Sequence, residues 1–389
     1  MLEVASRAGD PLEGFSFGAA LAGIASQLPV TLPAALAVSV AGTFNVAAGA
    51  LLLRAVRSSP FRTWSDAVLA GFGGAILLDV LLVAVLGGAG LFRPVVLAGA
   101  LLIACLAIVV GRPLVAAPLR ISRPSLARVL LIALVWCGPL LVALASPVVP
   151  AADVLPNHVA PAEHLRVFGS IASLATYPSP IYGPSRLFLG YAALMGTLAT
   201  LTGLPAALTV AAFTGPLLVV SALAMRRLAG AAFGRQAAFW VLLAFPLAFT
   251  FTRLPDVRDS VVALPLAASA LACLLSRDRS DPAARAGRPD WLLTVALSAA
   301  TLVHPLVGVL TASTVALLAL SDPGRFARRA IPALLATGVA VLPQLGVMVG
   351  LDPAPLWAPA AFGVALFAAL AASAAVAAVA WSRIPVGWA

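Results

Sequence analysis

Residues 185–203 read SRLFLGYAALMGTLATLTG, and the side of a membrane assigned to everything after them depends on this stretch. At 1.5 Å per residue it is long enough to cross a hydrocarbon core of ~30 Å. Its setting is already membrane-like. The 389-residue chain is 62% hydrophobic and only 10% charged, with mean hydropathy +1.07. A soluble domain of this length would carry about 25% charged residues. The apolar runs are continuous and do not alternate, which excludes a closed β-barrel and points to transmembrane helices. The expected fold class is all-α, a polytopic helical bundle of about 11 spans with no sizeable soluble domain.

Spans are expected at 31–53, 65–89, 94–117, 129–147, 205–225, 236–252, 259–276, 292–304, 305–321, 329–350 and 358–381. Segment 14–28 either lies in the interface or extends the first span. The net charge of +10 comes from arginine alone, since the chain has no lysine. Eighteen of the 24 arginines fall in one set of loops: Arg54, Arg57 and Arg62; Arg112, Arg120, Arg123 and Arg128; Arg226, Arg227 and Arg235; Arg277, Arg279, Arg285 and Arg288; Arg325, Arg328 and Arg329; and Arg383. Arg7, Arg93, Arg166, Arg186, Arg253 and Arg258 fall on the other side. Cytoplasmic loops are enriched in basic residues, so the first set is cytoplasmic and the expected location is a cytoplasmic (inner) membrane. That assignment requires 185–203 not to cross. It is expected to lie along the membrane surface or pack against the bundle as the second of two interfacial helices in a large external loop. The first runs from Pro161 to about Leu174, with Glu163 in its first turn and Leu165, Phe168, Ile171 and Leu174 as its apolar stripe.

Scattered between apolar spans, the arginines match contact with anionic headgroups and not with nucleic acid. Cys105, Cys137 and Cys273 lie in apolar stretches without CxxC spacing and read as buried hydrophobes. The opening MLEVASRAGDPLEG lacks the basic region of a cleaved signal peptide.

With this topology the rare polar groups fall on the external side. The loop at 148–204 holds Asp153, Asn157, His158, Glu163 and His164, and Tyr177, Tyr182 and Tyr191 lie in or beside it. FTRLPDVRD brings Arg253, Asp256, Arg258 and Asp259 between two spans, and His304 stands at the break in TLVHPLVG. Asp79 is separate: it lies mid-span in GAILLDVLLVAV, with Asn45 of the neighbouring span as a hydrogen-bond partner. A carboxylate at that depth either joins helices as a neutral group or couples to protons.

The order of these features resembles the polyprenyl-phosphate-dependent glycosyltransferases of the GT-C superfamily, which include protein mannosyltransferases and arabinofuranosyltransferases. A span is followed by an Asp in a large first external loop and then by two helices, the second introduced by YPSPIYGPSRL. AMRRLAGAAFG ends the next span, and RLPDVRD forms the second external motif. The resemblance covers roughly 129–320. It implies extra transmembrane helices over 1–128, a catalytic membrane module over 129–321 and further helices over 322–389. Asp153 corresponds to the family's catalytic carboxylate. The second motif, here Arg253, Asp256, Arg258 and Asp259, corresponds to groups that hold the lipid-linked phosphate or a metal. A divalent cation, Mg2+ or Mn2+, is compatible with this, and no other cofactor is implied.

The chemistry can also be stated from the residues. Transfer from a lipid phosphate needs a base for the acceptor hydroxyl, here Asp153, and cations for the departing phosphate, here Arg253 and Arg258. One carboxylate opposite a leaving phosphate predicts inversion. Asn157, His158, Glu163, His164, Tyr182, Asp256, Asp259 and His304 are candidate substrate contacts. Each also has a plainer reading: Asp153 as a loop or capping residue, Glu163 as a helix-end charge, the Arg253–Asp259 charges pairing with one another, and His304 satisfying backbone at the break. The tyrosines read as interface anchors, with sugar stacking the alternative. His158 and His164 lack a recognised metal-ligand spacing. The expected partners are a polyprenyl-phosphate sugar, a glycan, lipid or protein acceptor, and membrane lipids. The rival functions are a transporter or lipid-carrier flippase, a non-catalytic subunit, and a glycan polymerase or ligase. A transporter should carry inverted repeats and polar breaks in both halves, whereas here most polar residues lie on one side.

Overall fold

A computed structural model describes residues 17–56, 61, 63–109, 126–145, 159–170, 189–251, 257–276 and 290–348. The described residues form helices and contain no strand. In chain order these are α1 (Phe17–Val56), α2 (Trp64–Leu82), α3 (Pro94–Val109), α4 (Leu126–Ala145), α5 (Ala160–Phe168), α6 (Leu189–Thr202), α7 (Ala206–Ala212), α8 (Thr214–Phe233), α9 (Arg235–Phe251), α10 (Asp259–Leu275), α11 (Trp291–Val303), α12 (Pro305–Ser321) and α13 (Pro323–Met348). A π-helical turn, Val83–Gly87, prolongs α2. Asp153, Asn157, His158, Tyr177, Tyr182, Arg253 and Asp256 lie outside the described residues, as does the expected span 358–381.

Local chemistry sets the helix ends. Thr63 accepts from the Asp66 amide at 3.1 Å to open α2, and Asp290 accepts from the Leu293 amide at 3.2 Å to open α11. Gly169, at φ 66°, terminates α5 in the left-handed conformation that glycine adopts without a Cβ clash. The described part of segment 14–28 is continuous with the helix of the first span, since α1 runs from Phe17 through Pro29 and Pro33.

Among the described residues, three helices are long and apolar enough to cross a membrane: Thr31–Arg54 within α1, Trp64–Gly87, and α8. The pair α6–α7, bent by 101°, adds a fourth if it is one broken span. The helices α10, α11 and α12 are apolar but shorter. The described helices fall close to the expected spans, while the count that length alone supports is three or four.

Packing gives the bundle its order. Gly49, Gly71 and Gly74 let α1 and α2 touch backbone to backbone: a Cβ on Gly49 would stand 2.3 Å from the Ala75 amide nitrogen. Small residues at such seams are what allow helices in lipid to gain dispersion contact. One core cluster joins α1, α2, α6, α7, α8 and α10 around Phe72, Tyr191, Met195 and Leu217. A second joins α10 to α13 around Leu293, Leu297 and Val315.

Of the two placements expected for 185–203, along the membrane surface or packed against the bundle, the described residues 189–202 take the second. Its helix, α6, is not interfacial: residues 190–200 are buried throughout, enclosed by α1, α2, α5 and α11. Its Gly and Ala residues let neighbours approach closely while Tyr191, Leu194, Met195 and Leu198 fill the core, and the helix lacks the polar side that a surface helix would need. The stripe expected on α5 is different. Leu165 is fully buried, Phe168 is exposed, and the helix ends before Ile171 and Leu174.

Candidate functional site

The beginnings of α6 and α10 and the break between α11 and α12 meet at one end of the bundle. The Tyr191 hydroxyl donates to the Val257 carbonyl at 2.7 Å, with the tyrosine fully buried. Tyr191 therefore anchors one chain segment to another and does not serve as an interface residue. One residue earlier, Gly190 lies against the end of α11: a Cβ there would come within 2.7 Å of the Leu302 carbonyl carbon. Only glycine permits that approach without displacing backbone.

His304 sits in the break that this contact supports. It ends α11 and caps α12, its Nδ1 accepting from the Val307 amide at 3.2 Å, with Pro305 in the first turn. In a neutral imidazole, acceptance at Nδ1 places the proton on Nε2. That nitrogen lies 3.8 Å from Oδ2 of Asp259, in the first turn of α10. The separation suits an electrostatic contact and is too long for a hydrogen bond. Arg258 occupies the N-cap position of α10. The end thus combines the N-termini of α6, α10 and α12 with a carboxylate, an imidazole N–H and Arg258 at the N-cap of α10. Such a set can accept from hydroxyls and donate to anionic oxygens.

Glu163 and His164 lie elsewhere. Glu163 accepts from Arg166 Nε at 2.9 Å and from the Ala206 amide at 2.7 Å, just beyond the far end of α6. Fourteen helical residues, about 20 Å, separate the two ends of α6. The Arg166 hydrogen bond is the main cause holding the Glu163 carboxyl below the usual carboxylate range, with a smaller contribution from the Ala206 amide. His164 packs on Phe168 with ring centroids 4.5 Å apart, and partial burial pushes its imidazole pKa down. Arg93 joins this group by donating to the Val167 carbonyl at 3.0 Å. Glu163 is thus a fastener between α5 and α7, while Asp259 and His304 form the pair that the fold brings together.

The opposite end of α10 is structural. Arg329 pairs with Asp290 and donates to the Cys273 and Ser276 carbonyls at 2.5 and 3.3 Å, closing the end of α10. Arg227 pairs with Asp66 at 2.7 Å. Sequence reading did not identify these pairs; the signal was a carboxylate at each helix start, opposite an arginine cluster. Among the described residues no three His, Cys, Asp or Glu side chains gather in a way that could hold a metal ion.

Compared with protein-family models, curated proteins and solved structures, the chain matches none.

Proposed function

We propose that this chain is a multi-pass membrane glycosyltransferase of GT-C type. It moves a sugar from a polyprenyl-phosphate donor to a glycan, lipid or protein acceptor on the external face of the cytoplasmic membrane. The observation that supports the reading is the convergence of Tyr191, Val257, Asp259 and His304 at one end of the bundle. Two of these, Val257 and Asp259, belong to RLPDVRD, and Tyr191 follows directly on the large loop. In this reading about 11 spans cross the membrane, the shorter helices included, with that end facing outward.

The residues then take definite roles. Asp153 removes the proton from the acceptor hydroxyl as it attacks the anomeric carbon. Arg253 and Arg258 stabilise the departing phosphate, assisted by the N-terminus of α10. Asp259 and the Nε2–H of His304 contact sugar hydroxyls or phosphate oxygens. The sugar–phosphate bond breaks as the new glycosidic bond forms, with inversion.

The test is transfer by the purified chain in nanodiscs from a panel of polyprenyl-phosphate sugars, with Asp153→Asn in parallel. The expected result is transfer by wild type with inverted configuration, and its loss in a folded variant. Transfer that survives Asp153→Asn would remove the base assignment. A retained configuration or a covalent glycosyl-enzyme would overturn the mechanism.

A further inference from the structure

Asp79 is buried where α1, α2 and α6 pack together, and nothing in the proposed transfer uses it. Asn45 Nδ2 donates to its Oδ2 at 2.8 Å. The Thr197 hydroxyl stands beside the same carboxyl as a second donor, in a looser geometry than the Asn45 bond. Thr200 follows three residues along α6. Four buried oxygens here lack a hydrogen-bond partner: Asp79 Oδ1, Asn45 Oδ1, Thr197 Oγ1 and Thr200 Oγ1.

No described charge compensates an ionised Asp79. On α1 the nearest charge along the helix is Arg54, nine residues beyond Asn45. On α8, Arg227 is engaged by Asp66, thirteen residues from Asp79. The helices α10 and α11 carry titratable groups only toward their ends, at Asp259, Cys273, Asp290 and His304. On α6, Tyr191 donates to Val257, and the π-helical turn carries no titratable group. An unpaired carboxylate in such surroundings is unfavourable, whereas a protonated one is tolerated.

One proton resolves the geometry. Placed on Oδ1, it turns an orphan acceptor into a donor toward Asn45 Oδ1, while Oδ2 keeps the bond from Nδ2. The result is a closed acid–amide pair with both Oδ1 atoms satisfied. A metal cation would want a shell of about six oxygens, more than are gathered here.

The threonines supply the other half of the argument. Elsewhere, helical threonines donate to the carbonyl four residues earlier: Thr202 to Leu198, Thr301 to Leu297, Thr311 to Val307 and Thr314 to Leu310. Thr197 and Thr200 make no such bond, so their hydroxyls remain available to pass a proton.

We propose that Asp79 is a proton-exchange site within the helical bundle: a neutral acid paired with Asn45, giving up and regaining its proton through the Thr197 and Thr200 hydroxyls. The step is simple acid dissociation. The O–H bond of the carboxyl breaks, the proton passes to water by way of the hydroxyls, and the carboxylate regains a proton by the same route. The site is independent of the glycosyl-transfer reading.

Infrared spectroscopy of the full chain in nanodiscs tests this, with [4-13C]aspartate labelling to separate its 11 aspartates from the three glutamates. At pH 7 the expected result is a label-sensitive carbonyl band of a neutral acid, absent in Asp79→Asn. In 2H2O the band should shift within minutes, and Thr197→Val should slow that shift ~10-fold or more. Absence of a neutral-acid band, or its survival in Asp79→Asn, overturns the proposal. So does a band unshifted after hours in 2H2O, which would mean a static lock. A band abolished when Na+ replaces choline would mark a cation site and overturn it as well. If Asp79→Asn fails to fold, Asn45→Ala decides: its band must move because the acid has lost its acceptor, and an unchanged band refutes the pair.

Discussion

Tyr191→Phe deletes one oxygen and leaves the ring that fills the core. The lost bond is 2.7 Å long and fully buried, and the Val257 carbonyl it satisfied is left without that donor. Removing one partner of a buried hydrogen bond costs about 1–3 kcal/mol. The bond joins the start of α6 to the residues just before α10, so the cost should appear there first. The Val262 amide, bonded to the Arg258 carbonyl at 3.0 Å, closes the first turn of α10. A local loss of 1–3 kcal/mol raises its opening equilibrium by roughly 5- to 150-fold. Hydrogen exchange of the protein in nanodiscs, read on peptides covering 257–265, measures that factor. Peptides from α12 and α13, which pack in the second cluster, should change little. An unchanged rate at 257–265 would mean that the hydroxyl does not hold the segment. An equal rise across every helix would mean that the substitution acts on global stability, and the local-anchor argument would be wrong.

Gly49→Val should disrupt the α1–α2 seam, because even its Cβ would lie 2.3 Å from backbone; the measurement is the yield of monodisperse protein in detergent, against Gly42→Val, where space is open. Arg329→Met should cost about 1.5–3 kcal/mol in denaturant unfolding, because it strands Asp290 and the carbonyls ending α10 together. Glu163 should make stability pH-dependent in the acid range. Its folded pKa is depressed, so its contribution is complete above the ordinary carboxylate value and is lost as pH falls through the folded pKa. Thermal melts from pH 6 downward should show that loss in wild type and a flatter profile in Glu163→Gln. His304 combines a cap with an Nε2–H donor, and two substitutions separate them. Asparagine keeps the cap, so His304→Asn should match wild-type stability, whereas His304→Ala should lose ~1 kcal/mol; equal loss of sugar transfer in both would assign chemistry to Nε2.

Much of the helical layout was legible because spans are long, apolar and punctuated. The expected 259–276 and 305–321 lie within a residue of Asp259–Leu275 and Pro305–Ser321. The Asn45–Asp79 bond was legible too, since a mid-span carboxylate must find a donor close by. For α6, packing against the bundle was one of two open placements, because hydropathy ranks a lipid-facing and an enclosed helix alike. The available clue was its composition, Gly190, Ala192, Ala193, Gly196 and Ala199, which gives one half of the helix small residues that neighbours can approach closely. The separation of Glu163 from His304 was illegible for another reason. Sequence assigns both to the external side, but the length of α6 that divides them becomes visible only once that helix is folded into the core.

The polar groups of this chain fall into places governed by different physics. At the arginine-rich end, Asp66 and Asp290 are matched to Arg227 and Arg329, and these pairs close helix ends. At the other end, neutral groups make the fastening bonds: a tyrosine hydroxyl to a carbonyl, and an amide to an imidazole nitrogen. Neutral fastening holds a geometry without discharging the side chains around it. Those two bonds use the side chain of neither Arg258 nor Asp259, which stand beside His304. In the interior neither device is available, since a charge pair would be desolvated and Asp79 has an amide beside it in place of a cation. Protonation lets Asn45 satisfy the second oxygen of that carboxyl as well as the first. A membrane bundle with so few polar side chains thus keeps its charge at the ends and a titratable proton within.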